Sequence, residues 1–428
     1  MARTGFLAKQ WWWDVRANLF VRPMVIVVAH ILLASVLVGW EHQYGPVKWL
    51  STEPAAAQTV LSTLAGAMMT VVSVVYSILL VALSLASMPF STRILAGFVR
   101  DGTSQTVLGL FVGAFIYSLL VLRSVHTEPS PFVPGLAFSV AIGLALFSLG
   151  SLLYFIHRII QLIQANHLVD GLATDAEPII DEVFPSLGPA VHEPPPPQAA
   201  GAPVLALRSG YIQLVDVEAL VALAGASDIR LLRPMGGFVV EGTPLFMVSP
   251  PEDAEALGNR LRECVDLGAT RTLQADAEYG VRQIVDIALK AISPAINDPS
   301  TAATCIDHLS RLLVRAATRG APPSVYPSVN GRFVLQATSF SDLLDLTLEQ
   351  LRQYGKTDMA VALRLLRLLT VVTGAIRHLS WLDRVEHHMT LIVSAARQNF
   401  AKADSEELER RVAEMERLLR DRRSDVRA

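Results

Sequence analysis

The chain has 428 residues, 52% of them hydrophobic and only 18% charged. Soluble domains carry about a quarter charged residues, so a plain cytosolic enzyme is excluded, as are collagen-like and disordered chains. A net charge of −3 leaves no footprint for nucleic acid, and the two cysteines, Cys264 and Cys305, suit neither a disulfide framework nor a zinc cluster.

The apolar excess is concentrated near the N-terminus. A helix needs about 20 apolar residues to cross the hydrocarbon core. Four stretches meet that rule: residues 23–40, 60–87, 105–122 and 132–156. No Asp, Glu, Lys or Arg falls between Glu53 and Arg93, so the second helix is expected to project beyond the bilayer on one side. The first stretch has too long an apolar core for a signal peptide and no small-x-small cleavage site after it; it reads as an anchor that stays. Residues 1–22, with Trp11, Trp12 and Trp13, suit an interfacial segment.

Positive loops are retained in the cytoplasm. Arg3, Lys9, Arg16 and Arg22 precede the first span, Arg93 and Arg100 lie between the second and third, and Arg158 follows the fourth. The other two loops carry only Lys48, beside Glu41 and Glu53, and Arg123. This alternation predicts a multi-pass protein of the bacterial inner membrane with both termini cytoplasmic.

On the second span Ser62, Gly66, Thr70, Ser73, Ser77, Ser84 and Ser87 recur at three- and four-residue spacing. At 100° per residue they form one stripe about 100° wide. A hydroxyl in lipid costs free energy unless it is bonded or wetted. The stripe is therefore expected to face either a close helix–helix seam or a hydroxyl-lined aqueous path; serines bonded back to their own helix are the third arrangement. Gly109, Gly113 and Tyr117 on the third span, and Gly135, Ser139, Gly143 and Ser151 on the fourth, are expected to be packing faces. No carboxylate, lysine or arginine sits at the centre of a span, which argues against a proton-coupled transporter. His30 reads as a packing residue. Arg93 and Arg100 are the charges expected at a pore mouth.

Beyond the last span, residues 158–202 read as a helical exit followed by a stiff linker with prolines at 194–197. A small β-rich unit is expected over 203–250, with strands at 203–207, 211–215, 229–233 and 238–248 and a helix at 217–224. The run GGFVVEGTPLFMV resembles the second half of barrel-sandwich hybrid domains, but no hairpin lysine is present to carry a prosthetic group. No cofactor is expected. Residues 251–402 read as a mainly helical domain, with helices at 253–267, 276–292, 300–319, 340–354, 358–378 and 381–400. One β-hairpin turns at Asn330-Gly331. Residues 403–428 form a charged helix with an apolar seam of Leu408, Val412, Met415 and Leu419, which needs a partner.

Glu278, Arg282, Asp286 and Lys290 form an i,i+4 ladder of alternating sign, either surface decoration or part of a site. Asn297, Asp298 and Pro299 close one helix and open the next, with Asp298 as N-cap and proline at N1; a ligand loop is the alternative. No phosphate loop or glycine fingerprint occurs. His387 and His388 point about 100° apart and share no third ligand, so no metal is expected. No constellation of residues argues for an enzyme.

The stretch DAEYGVRQIVDIALKAISPAINDPSTAATCIDHL resembles the hallmark of an uncharacterised bacterial "predicted membrane protein" family. So do VVYSILLVALSLASMPFSTRIL and RDGTSQTVLGLFVGAFIYSLLVL. The resemblance implies four N-terminal spans and a cytosolic C-terminal domain, with no settled biochemical role. The fold class expected is thus a membrane α-helical half joined to an α+β half. Two functions fit: a homo-oligomeric channel or pore-like protein with a cytosolic regulatory domain, or a membrane-anchored sensor or scaffold whose spans only pack. The partners implied are the lipid bilayer, further copies of the chain, and ions.

Overall fold

The computed structural model describes residues 20–47, 50, 52–87, 102–128, 131–186, 201–401 and 406–427. They divide into two units, residues 1–164 and 165–428.

In the first unit the apolar stretches form α1 (Val21–Tyr44), α2 (Pro54–Ser87), α3 (Gly102–Ser124) and α4 (Gly135–Ile163), each long and apolar enough to cross a membrane. Gly45, at φ +87°, ends α1 in a conformation that L side chains resist. Proline at the first position of α2 gives up an N–H that the helix start cannot use. The 34 residues of α2 extend about 51 Å at 1.5 Å each, well beyond a hydrocarbon core of about 30 Å. The central helix is α3, which packs on α1, α2 and α4; 50% of its span is buried, against 17%, 17% and 22% for the others. One cluster around Leu61, Tyr117, Val121 and Ala137 and another around Met68, Phe111 and Phe155 make the core.

Glu41, expected in the first loop, lies inside α1 and is fully buried. The helix runs four residues past the apolar stretch, and of these Glu41 alone is buried while His42, Gln43 and Tyr44 are exposed.

The second unit begins with α5 (Ala165–Val183), then β1 (Ala202–Leu205), β2 (Gly210–Val215), α6 (Val217–Ala224), β3 (Asp228–Leu231), β4 (Phe238–Val239), β5 (Pro244–Ser249), α7 (Asp253–Glu263) and β6 (Val265–Gly268). There follow α8 (Ala277–Ala291), α9 (Pro299–Ala317), β7 (Val325–Pro327), β8 (Arg332–Leu335), α10 (Phe340–Tyr354), α11 (Met359–Ala375), α12 (Leu379–Asn399) and α13 (Glu406–Arg427). The strands make a mixed five-stranded sheet, ordered β1-β5-β3-β8-β7 with β3 and β8 parallel, and an antiparallel sheet ordered β4-β2-β6. Phe246, Ile212, Leu261 and Phe333 share the core between them.

Three expectations are corrected here. The helix read over 253–267 ends at Glu263, and Val265–Gly268 pairs with β2 as a strand whose alternating apolar residues face the core. The hairpin assigned to the helical domain is part of the β unit's own sheet, with β8 in register with β3 from Asp228↔Arg332 to Leu231↔Leu335. The exit helix is no mere connector: α5 packs on α8 and α9 as a member of this unit. The apolar seam of α13 also finds its partner at home, with Leu408, Val412, Met415 and Leu419 buried and the helix seated on α11 and α12.

Candidate functional site

Each turn of α2 brings its small residues back to the same side. Ala57, Leu61, Ala65, Met68 and Val75 are buried, while Ser62, Gly66, Thr70, Ser73, Ser77 and Ser84 are exposed. At 100° per residue the exposed stripe is centred about 150° around the helix from the buried face. It is therefore not a packing seam within its own unit among the described residues. Met69, Val74 and Val81 flank it, also exposed, and Leu80, 53% exposed, falls on the stripe itself. Ser87 ends the helix. Arg93 and Arg100 lie outside the described residues.

The hydroxyls on the stripe are occupied. Thr70 donates to the Gly66 carbonyl at 3.0 Å, Ser73 to Met69 at 3.2 Å, Ser77 to Ser73 at 2.9 Å and Ser62 to Thr59 at 3.0 Å. With its proton on its own helix, a hydroxyl tolerates lipid or a neighbouring helix, while its oxygen keeps a lone pair facing outward.

On α3 the small residues meet α1. A Cβ on Gly109 would come within 2.9 Å of the Pro23 backbone, and one on Gly113 within 2.6 Å of the His30 ring. His30 is buried, and its Nδ1 lies 2.8 Å from the Ile26 carbonyl. Tyr117 is buried and donates to the Ala137 carbonyl at 3.0 Å. On α4, Gly135 lies against Leu50 and Ser139 donates back to Gly135 at 2.9 Å. Gly143 differs: it is exposed, and a Cβ there would meet no described atom within 4 Å. The buried face of α4 runs instead through Ala137, Ala141, Ser148 and Phe155.

Sequence reasoning missed Glu41. Its carboxylate accepts from the Leu136 and Ala137 N–H groups, both at 2.9 Å, and so caps the first turn of α4. The segment before α4 supplies no Ser, Thr, Asp or Asn at the cap position, and that gap was the one available signal.

In the second unit Asp298 accepts from the Thr301 N–H at 3.0 Å and caps α9, with Pro299 opening the helix and Asn297 before it at φ +49°. The Thr301 hydroxyl and N–H hold the Asp298 carboxyl below the usual carboxylate range. The ladder on α8 reaches in several directions. Glu278 pairs with Arg271 at 3.3 Å, Arg282 donates to Gln350 on α10 at 2.9 Å, and Asp286 and Lys290 are half-buried. Arg271 also grips the buried cap Asp276 with two bonds of 2.8 Å, and Gly236, at φ +73°, leaves room for both.

A second ladder escaped notice because its halves are far apart in sequence. Arg311 and Arg315 on α9, with Arg319 just past its C-terminal end, face Asp170, Glu177 and Asp181 on α5. The Arg315 bond holds Asp181 below its ordinary pKa. His388 is buried with Nε2 2.7 Å from Asp345, whereas His387 is exposed. Among the described residues no group of three His, Cys, Asp or Glu is placed to hold a metal.

Three apolar helices packed on a fourth, central one, followed in the chain by a folded α+β unit, define a multi-pass membrane protein with a polar domain. The chain belongs to the family described as "Predicted membrane protein (DUF2254)", whose model matches residues 16–371. It is 34% identical over 362 residues to uncharacterized proteins of Mycobacterium bovis (Mb1321c) and Mycobacterium tuberculosis (Rv1290c). Each match covers 81% of this chain and 70% of the relative. No solved structure matches.

Proposed function

We propose that the chain is the subunit of a homo-oligomeric channel or pore-like protein of the bacterial inner membrane. Both termini are cytoplasmic in this reading, and the second unit regulates the path. The observation that carries it is the placement of the small and hydroxyl-bearing residues of α2 opposite the face that α2 buries in its own bundle. Small side chains let helices from neighbouring copies approach closely, and outward lone pairs offer an oxygen-lined surface to a passing ion. With no charge on the stripe, selectivity comes from width, hydroxyl dipoles and the mouths, where Arg93 and Arg100 favour anions.

The test is cysteine accessibility. Single cysteines at Ser73 and Ser77 should react with small polar thiol reagents, and the modification should change ion flux in liposomes. Cysteines at buried Val75 and lipid-facing Val74 should stay silent. Flux absent from liposomes holding the intact oligomer would leave the second reading, a membrane-anchored sensor or scaffold. What favours that reading is the back-bonding of Thr70, Ser73 and Ser77, which lets the stripe pack without water.

A further inference from the structure

A cavity of about 460 Å³ opens on the side of the first unit, between the start of α1, the first turns of α3 and the late turns of α4. Its wall changes character with depth. Arg22, Gly102 and Thr103 stand where α1 and α3 begin, with Tyr154 on α4 also on the wall, and Val107, Leu110 and Phe147 line the more apolar part. From residue 102 to residue 110 the wall climbs about 12 Å along α3. Among the described residues no carboxylate lines the cavity. The Arg22 guanidinium occupies the place that a Cβ on Gly102 would need, so the charge bends over the first turn of α3. Phe147 and Tyr154, 63% and 60% exposed, leave the cavity open sideways toward lipid.

We propose that this cavity binds an anionic phospholipid, with its phosphodiester on Arg22 and its acyl chains along Val107, Leu110 and Phe147. Basic recesses between spans suit phosphate-bearing headgroups, and a cation near the membrane surface favours an anionic lipid about five-fold. A free phosphate would satisfy Arg22 alone and leave the apolar floor without a ligand. The lateral opening and the polarity gradient along the wall fit an amphiphile that arrives from the bilayer. The inference stands apart from the channel reading, since it concerns a different face and different helices.

The test uses the full chain in mild detergent, titrated with phosphatidylglycerol, phosphatidylcholine or inorganic phosphate, with bound ligand counted by native mass spectrometry. Phosphatidylglycerol should bind several-fold more tightly than phosphatidylcholine. Arg22→Gln should erase that preference and Arg22→Lys should retain most of it. Leu110→Trp, which fills the floor, should weaken both lipids, and it carries the test if Arg22→Gln fails to fold. Equal binding of the two lipids, or an unchanged preference in Arg22→Gln, would overturn the proposal. Inorganic phosphate that displaces phosphatidylglycerol while Leu110→Trp has no effect would equally overturn it, in favour of a simple anion site.

Discussion

In the first unit α3 meets α1 where Gly109 and Gly113 remove a side chain. In the second, Asp216, Asp276, Asp298 and Asp358 cap helix starts, and guanidinium pairs join α9 to α5 across 134 to 141 residues of sequence. The difference follows from the solvent. Back-bonded hydroxyls are common to both units, as Ser310, Thr347 and Thr373 show in the second; what lipid changes is that apolar surface gives neighbouring helices no net drive to associate. Fit then decides which helices touch. In water the apolar core supplies the drive, and polar groups select the register.

Phe246→Ala probes the second regime most strongly. Phe246 is fully buried between the sheets, and its truncation should cost about 3–5 kcal/mol, seen as a lowered unfolding midpoint of the full chain in detergent. Gly113→Leu tests fit in the membrane regime: the added side chain meets the His30 ring and should cost about 1–3 kcal/mol or separate α1 from α3. Gly143→Leu, where no described atom stands in the way, should leave the unfolding midpoint of the monomer unchanged. Equal damage from both glycine variants would break the contrast.

Glu41 is the exception, a long-range carboxylate cap within the apolar unit. Glu41→Ala strands two enclosed N–H groups and should cost about 1–3 kcal/mol, whereas Glu41→Gln, still an acceptor, should cost less. Asp298→Ala in the second unit should cost about 1 kcal/mol, the ordinary loss of a cap.

The smallest effect is one of pH. Burial lowers the His388 pKa below its ordinary value, despite the pull of Asp345 in the other direction. A folded pKa below the unfolded one means that the fold favours the neutral ring. The stability this contributes is present above the unfolded value of about 6.5 and is lost as pH falls below it. His388→Gln should therefore flatten the acid side of the stability profile between pH 6.5 and 5, read by thermal unfolding across that range.

The four spans were legible because crossing a bilayer demands a run of apolar residues, and nothing in the rest of the chain imitates one. Helix limits in the second unit were readable from caps: Ser339 begins Phe340–Tyr354 with a reciprocal bond to Asp342, and the sequence placed that helix to the residue. What stayed hidden was pairing at long range. Val265–Gly268 is too short to show its period next to a helix, and its partner β2 lies some fifty residues earlier. The α2 stripe was visible as a pattern, but small residues look alike in sequence whether they face their own bundle or the outside. Only the positions of Ala57, Leu61 and Ala65 against the neighbouring helices fix its direction.

The cap that Glu41 places on α4 also has a consequence for biogenesis. The carboxylate and the N–H groups that it serves are 95 and 96 residues apart. At a ribosomal pace of about 5–20 residues per second, Glu41 is made about 5–19 seconds before its partners. The fourth span thus arrives last at a site where its clasp is already waiting, and its docking closes the bundle. Without the clasp, packing on α2 and α3 and the Tyr117–Ala137 bond are what remain to hold the fourth helix.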